Sequence, residues 1–297
     1  MNILNAETQR RRGAAYEKEM KLAFSTLGCP NWSLDQIVDA VHRFRFDGVE
    51  LRAVGGDLDL LNRPEFSSSE VTNTRRRLDD EGIAVCCVDT SCTFHSPDAN
   101  EREVNAVVAI KYAELAAALG APLIRIFPDK VQSGANCTQT RDYIAETLRL
   151  VAERIPNEVS VGLETHGDFA QAEATAEIIR LAAHPNVSII WDVANSRAAG
   201  DSITDAANVV GPYLRHVHLR DARPVAGSDH WLPVLVGRGN VPFAEAVTVL
   251  ESLNYDGFIS FEWEKYWHPE IEEPEIALPD FVTAMEGLIK RSESAVI

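Results

Sequence analysis

Four residues that could bind a metal or move protons end four successive apolar runs in the second half of the chain. Glu164 closes SVGLE, Asp192 closes SIIWD, His218 lies in RHVHL and Glu262 closes FISFE. Three carboxylates buried together would repel one another and lose hydration, and a divalent cation relieves that cost. Carboxylate oxygens with one imidazole suit Mn²⁺ or Mg²⁺, with Co²⁺ or Zn²⁺ as alternatives. The pattern therefore predicts one divalent-metal site with these four ligands.

Each of these residues also has a simpler interpretation. A single Glu or Asp at a strand end often caps the helix that follows, and a lone strand histidine is more often a packed core residue than a ligand. The recurrence in four successive strands favours the metal site over four coincidences. His216 and His218 share one face of their strand because side chains alternate with a period of two. Only His218 lies at the strand end, so we predict it as the ligand.

The elements that must position these residues are short apolar runs alternating with amphipathic stretches. Eight such pairs call for a parallel sheet with right-handed crossovers, and eight units favour a closed (β/α)₈ TIM barrel. An open doubly wound sheet is the alternative, but the first loop, STLGCPNWS, lacks its glycine-rich fingerprint. The predicted strands are Lys21–Thr26, Gly48–Arg52, Ile83–Asp89, Leu123–Phe127, Ser160–Glu164, Ser188–Asp192, Arg215–Leu219 and Phe258–Glu262. We predict a single barrel over residues 21–297 and a short N-terminal extension over residues 1–20.

Composition limits the partners and the compartment. The chain has 297 residues and a formal net charge of −17, which disfavours nucleic acid and anionic membrane surfaces as partners. No stretch approaches the roughly 18 apolar residues of a membrane span. The five cysteines are irregularly spaced, and we predict free thiols in a reducing compartment. Without an apolar leader segment in MNILNAETQRRRGAAYEKEM, the expected location is the cytoplasm.

Seven motifs, in their order along the chain, carry a resemblance to a known family. They are DGVELR, APLIRIF, GLETHG, WDVAN, HVHLRD, VGRGNVPF and YDGFISFEWEKYW. In this order they resemble the xylose isomerase-like superfamily of sugar phosphate isomerases and epimerases, from Lys21 to about Leu288. The resemblance implies a barrel with one catalytic metal at Glu164, Asp192, His218 and Glu262. It also implies a small-molecule carbohydrate substrate.

Relatives similar to D-tagatose 3-epimerase imply how the site would act. Their two metal-bound glutamates also move protons, so Glu164 and Glu262 are the expected catalytic residues on opposite sides of the substrate carbon. Proton transfer next to a polarised carbonyl, through an enediolate, would give epimerisation or aldose–ketose isomerisation. The same enolate could instead expel a hydroxyl, as in dehydratases of the inosose or dehydroshikimate type. A non-catalytic binding barrel and an endonuclease IV-like nuclease rank lower, and a homo-oligomer is one open outcome.

Three polar residues near strand ends are predicted to contact the substrate. The epimerases have a histidine three residues after the strand-six aspartate, whereas this chain has Asn195. An amide can bind a hydroxyl but cannot carry a positive charge, and His166 could compensate. His95 follows strand three and either lines the pocket or lies in an exposed loop.

Four basic residues complete the predicted substrate-binding set: Arg52, Arg125, Arg220 and Lys265. The two that close strands two and four, Arg52 and Arg125, could hold a phosphate or carboxylate, or could pair with a strand-end acid such as Glu50. The other two could bind substrate, or could orient Glu262 and Asp221.

Overall fold

Eight parallel strands close into a barrel in a computed structural model that describes residues 20–227 and 231–295. The barrel order is β1, β2, β3, β4, β5, β6, β7 and β10, with β10 pairing back to β1. The barrel strands are β1 (Lys21–Ser25), β2 (Gly48–Leu51), β3 (Ala84–Thr93), β4 (Leu123–Phe127), β5 (Ser160–Glu164), β6 (Val187–Asp192), β7 (Leu214–His218) and β10 (Phe258–Phe261). The predicted TIM barrel is confirmed. The predicted extension over residues 1–20 lies, apart from Met20, outside the described residues.

Nine α-helices lie among the described residues, and eight of them were predicted as crossovers or as the closing helix. They are α1 (Leu34–Phe44), α2 (Val71–Asp80), α3 (Ala99–Leu119), α4 (Cys137–Ala152), α5 (Ala172–Ala182), α6 (Val193–Ala198), α7 (Ile203–Val210), α8 (Phe243–Ser252) and α9 (Pro274–Ala295). Helix α1 shows why such segments fold. A capping box at Ser33 and Gln36 begins it, and Leu34, Ile37 and Val41 repeat at helical spacing to bury one face. None of the helices in the described part of the chain is long and apolar enough to cross a membrane.

Two elements depart from the predicted pattern. The short helix α6 follows β6 without a loop, because the Asp192 side chain accepts a hydrogen bond from the Asn195 backbone N–H and caps the helix. A hairpin of β8 (Asp221–Pro224) and β9 (Trp231–Val234) follows β7 outside the barrel. The cysteines agree with the prediction, since all five are free thiols and only Cys137 is exposed.

Strand register aligns the predicted ligands. Asp192 pairs directly with His218, and His218 pairs with Ser260, two residues before Glu262. Glu164 pairs with Ile190 on β6. Parallel strands deliver their carboxyl ends to one face of a barrel, which is where barrel active sites form. The fold therefore brings the ends of β5, β6, β7 and β10 to one place.

Candidate active site

The four predicted ligands converge at the carboxyl ends of β5, β6, β7 and β10. One potential ligand atom from each of Glu164, Asp192, His218 and Glu262 lies within 4.8 Å of all the others. The four side chains are buried, and the most accessible, Glu262, is 4% exposed. Ligand atoms about 2.0–2.3 Å from a shared ion lie no more than about 4.6 Å apart. The observed limit of 4.8 Å is only slightly wider, so small side-chain shifts would bring the four atoms into one coordination sphere.

His218 presents Nδ1 to the carboxylates. This atom lies 3.4 Å from Glu262 Oε2 and 3.8 Å from Glu164 Oε2, and it is buried without a hydrogen-bond partner among the described residues. Desolvation opposes a charge on the ring, but Glu50 and Glu262 outweigh it and raise the pKa of His218 well above its ordinary value. The raised pKa reflects a negative electrostatic potential from the neighbouring carboxylates, and such a potential favours a cation.

The two carboxylates of β5 and β6 lie in different electrostatic surroundings. Burial raises the pKa of Glu164, but Arg125, at 3.0 Å, and His218 hold that pKa well below its ordinary value. Burial raises the pKa of Asp192 to about 6. Arg220 opposes this rise, whereas repulsion from Glu262 and Glu164 adds to it. The two carboxylates therefore depend on nearby positive groups for stabilisation, as expected of acidic ligands buried together away from water.

Arg220 links the candidate ligands to the rim. It pairs with Asp192 and lies 3.6 Å from Glu262 and 2.9 Å from Glu264. Among the described residues, Arg220 contacts Glu262, which it was predicted to orient, rather than Asp221. The Asp221 carboxylate instead accepts hydrogen bonds from backbone N–H groups of the following segment.

Asn195 bridges two residues of the cluster. Its Oδ1 accepts a hydrogen bond from Arg220 at 3.1 Å, and its Nδ2 donates to the Thr165 carbonyl at 3.2 Å and lies 3.5 Å from Glu164 Oε1. The amide therefore orients a candidate ligand from the position where the epimerase motif has a histidine. Oδ1 has a second lone pair, which could accept a hydrogen bond from a substrate hydroxyl.

The remaining arginines are engaged by protein groups. Arg125 is 1% exposed, pairs with Asp89 at 3.4 Å and Glu164 at 3.0 Å, and has its guanidinium carbon 3.7 Å from the centroid of the Phe127 ring. The ion-pair interpretation of Arg125 is therefore the one that the structure favours. Arg52 donates to Ser91 Oγ at 2.8 Å and to a backbone carbonyl. The suggested partner of both arginines, Glu50, instead contacts two histidines.

Lys265 is engaged by groups of its own loop. Its ammonium group donates to the Pro269 and Ile271 carbonyls and pairs with Glu273 at 2.9 Å. An ammonium has three N–H donors, and these contacts use all three. Its predicted roles, binding substrate or orienting Glu262, stay predictions, and in this structure the residue holds its own loop together.

The two remaining histidines of the predicted substrate set are placed near strand ends. His95 is 7% exposed and its Nε2 lies 2.6 Å from Gln132 Nε2, so the exposed-loop interpretation is wrong. The His166 ring packs against Phe127 with centroids 4.6 Å apart, and its Nδ1 is buried without a hydrogen-bond partner in the described structure. His166 thus retains a polar atom with which to contact a ligand.

Sequence reasoning assigned no site role to Asp89 and Glu264, which lie below and beside the cluster, and it considered Glu50 only as a partner of an arginine. Glu50 and Asp89 are 0% exposed inside the barrel, where branched aliphatic side chains usually form the layers. The signal was available in part. Glu50 in DGVELR and Asp89 in CCVDT are charges within apolar strands, and such residues need a partner.

Comparison with known proteins agrees with this architecture. The sequence model described as xylose isomerase-like TIM barrel matches residues 38–281. The putative L-ribulose-5-phosphate 3-epimerase SgbU of Escherichia coli K12 is 25% identical over 239 residues, which cover 77% of this chain and 82% of that protein. The uncharacterized protein MJ1311 of Methanocaldococcus jannaschii is 27% identical over 111 residues, and the match spans only 36% of its length and 35% of this chain.

Solved structures with low sequence identity share the fold. The IOLI protein with a bound zinc atom has a TM-score of 0.75 at 16% identity, with 91% of this chain and 99% of that chain covered. The probable 3-DHS dehydratase AsbF from Bacillus anthracis has a TM-score of 0.73 at 19% identity, with 90% and 99% covered. At these identities the likeness establishes the barrel fold alone.

Proposed function

The chain belongs to the xylose isomerase-like TIM-barrel family, and from that premise we propose that it is a divalent-metal-dependent isomerase or epimerase. Its proposed substrate is a small sugar, sugar phosphate or related polyhydroxy carbonyl compound. The observation that carries this proposal is the convergence of Glu164, Asp192, His218 and Glu262 within 4.8 Å. The similarity to a putative L-ribulose-5-phosphate 3-epimerase, over most of both chains, supports it.

The donor set fits a divalent metal ion. Three carboxylates offer hard oxygen ligands, and the buried Nδ1 of His218 has no other hydrogen-bond partner in the described structure. We propose all four as ligands of one ion. Mn²⁺ or Mg²⁺ suits this oxygen-rich set best, and Co²⁺ or Zn²⁺ would also fit. When bound, the ion would polarise a substrate carbonyl and stabilise the negative charge that develops on its oxygen.

Two glutamates are proposed to move the proton. Glu164 ends β5 and Glu262 follows β10, with β6 and β7 between them, so they approach the centre of the site from different directions. Arg125 keeps Glu164 ionised, which is the state that a base requires. One glutamate would remove the proton next to the carbonyl, and the other would return a proton to the resulting enediolate. Return to the opposite face of the same carbon gives epimerisation, and return to the neighbouring carbon gives isomerisation.

Solvent exchange provides the test. The Mn²⁺-loaded protein is incubated in D₂O with a panel of ketoses and ketose phosphates, and NMR follows deuterium uptake next to the carbonyl. We expect metal-dependent exchange without loss of water. Formation of an enone with release of water would favour the dehydratase alternative. Bound metal with no exchange across the panel would favour a binding barrel.

Substitution of the two glutamates tests their roles. Glu164→Gln and Glu262→Gln should each lower turnover by about 10²–10⁴-fold, since a positioned acid or base contributes that much. Glu270→Gln makes the same chemical change at an exposed rim position and serves as the control. Both site variants should keep the circular dichroism spectrum of the parent protein. Full activity in either would refute the assigned role.

A further inference from the structure

A buried carboxylate beneath the candidate metal site contacts two histidines across the barrel interior. Glu50 lies on β2 inside the barrel and is 0% exposed. His216 and His218 lie on β7. Glu50 Oε2 lies 2.5 Å from His216 Nε2 and 3.0 Å from His218 Nε2. The two imidazole rings stand nearly perpendicular, with centroids 5.3 Å apart. Both Nε2 atoms therefore contact the same carboxylate oxygen, Oε2 of Glu50.

The direction of these contacts determines which nitrogen of His218 is free. Its Nδ1 faces Glu164 and Glu262, so this atom must carry a lone pair if it is to bind a cation. An ionised carboxylate only accepts hydrogen bonds, so a bond to Glu50 requires the proton on Nε2. A neutral imidazole with its proton on Nε2 has its lone pair on Nδ1. The contact with Glu50 thus selects the tautomer that can ligate.

We propose that Glu50 is a positioning residue that fixes the tautomer and ring orientation of His218 for metal binding. This inference rests on the proposed function only in taking His218 as a ligand. A histidine ligand commonly donates its second N–H to a carboxylate, and loss of that partner weakens metal binding. Glu50 itself lies on the far side of the imidazole ring from Glu164 and Glu262, so its effect passes through His218.

An alternative role for Glu50 is direct ligation. Its carboxylate also forms a group within 4.8 Å with the two histidines, and another with Cys87 and Asp89. The short contacts to both Nε2 atoms argue against a second ion, because the protons of those bonds occupy the space between the atoms. Arg125, 3.4 Å from Asp89, already places a positive charge beside the other group. The geometry therefore favours hydrogen bonding over ligation.

Metal affinity of the full chain tests the proposal. Mn²⁺ binding is titrated calorimetrically for the parent protein and for Glu50→Leu, Glu50→Gln and His216→Gln. Glu50→Leu should raise the Kd by about 10–100-fold, the effect expected when a ligand loses its hydrogen-bond partner. Glu50→Gln should show a smaller rise, because the amide oxygen can still accept from Nε2–H. His216→Gln is the matched control, since its amide can still donate to Glu50, and its Kd should stay near that of the parent.

A second readout separates positioning from a merely structural role. In the Mg²⁺-loaded protein with ¹⁵N-labelled histidine, the Nε2–H of His218 should exchange slowly with solvent, with the signal assigned by its absence from His218→Gln. Glu50→Leu should speed that exchange, and Glu50→Gln provides the folded comparison if Glu50→Leu fails to fold. Unchanged affinity and exchange in a folded Glu50 variant would overturn the inference.

The outcomes also distinguish this inference from the proposed function. A parent protein that binds no Mn²⁺ would overturn both. A parent that binds one ion per chain, with Glu50 variants of equal affinity, would overturn the positioning role alone. Two ions per chain, with one lost on removal of Glu50, would show that Glu50 is a ligand and overturn the positioning role as well.

Discussion

Asp221→Asn tests whether one buried carboxylate holds the segment that follows the hairpin. The Asp221 side chain, 1% exposed as a residue, accepts four backbone hydrogen bonds. Oδ1 accepts from the N–H groups of Ala222 at 2.9 Å and Val241 at 3.1 Å, and Oδ2 accepts from those of Gly237 at 2.9 Å and Gly239 at 2.8 Å. Asparagine has nearly the same shape, so the change is the loss of the charge and the replacement of one acceptor oxygen by an NH₂ donor.

The magnitude follows from the four bonds. An amide keeps one oxygen, so two bonds are lost and two change from charged to neutral acceptors. Bonds to a charged group contribute about 1.5–3 kcal/mol each and neutral ones about 0.5–1.5 kcal/mol. The simple sum of these terms exceeds the usual cost of a single substitution. Because the segment can relax towards water and recover part of that cost, we expect about 3–4 kcal/mol. With an unfolding entropy of about 0.6 kcal/mol/K for a chain of this length, the melting temperature should fall by about 5–7 °C.

Thermal unfolding followed by circular dichroism is the assay, with all variants scanned at one rate because large proteins often unfold irreversibly. Asp280→Asn is the matched control. Asp280 Oδ2 accepts a single hydrogen bond from the Val236 N–H at 2.9 Å, in the same segment. Asparagine keeps one oxygen for this bond, so only the change from a charged to a neutral acceptor is expected, at a cost of about 1–1.5 kcal/mol. Equal melting temperatures for Asp221→Asn and Asp280→Asn would refute the reasoning.

Three further substitutions test the contacts around the site. Arg125→Met leaves Asp89 and Glu164 without their buried partner and should cost about 3–5 kcal/mol in urea denaturation; a cost below 1 kcal/mol would contradict the ion-pair role. Asn195→Ala should lower kcat/KM by about tenfold, equivalent to one hydrogen bond of about 1.4 kcal/mol, and an unchanged value would show that the amide does not orient Glu164. Lys265→Met should leave KM for the substrate unchanged while lowering the melting temperature, and a raised KM would restore its predicted role in binding.

The barrel strands could be predicted because each must be buried on both faces. SVGLE and LIRIF are short apolar runs, and the observed strands Ser160–Glu164 and Leu123–Phe127 match the predicted bounds. The hairpin could not be predicted in this way. Its strands, DARP and WLPV, contain two prolines and no alternating apolar pattern. The buried Asp221 lies at the start of the hairpin. Its tertiary contacts therefore stabilise a segment whose local strand propensity is weak.

The ligand cluster could be predicted because strand ends are a property of the sequence, whereas partners across the barrel are not. Asp89 pairs with Arg125 in the β3–β4 register, yet β3 is irregular between Asp89 and Thr93, beyond the predicted strand end. Glu50 contacts His216 and His218, which lie 166 and 168 residues further along the chain. Such contacts depend on closure of the barrel through β1 and β10, which lie between β2 and β7 and bring their interior side chains together. A sequence pattern shows that a buried charge needs a partner, but not which partner it finds.

The charges in the barrel mouth bear directly on the proposed cation. Six acids and three arginines lie at or below the cluster, a formal difference of three negative charges: Glu50, Asp89, Glu164, Asp192, Glu262 and Glu264 against Arg52, Arg125 and Arg220. Burial, with repulsion from Glu50, raises the pKa of Asp89 well above its ordinary value despite Arg125, in keeping with this excess of negative charge. A buried imbalance of that size is costly. One divalent ion at His218 would offset two of these three charges, more than a monovalent ion would.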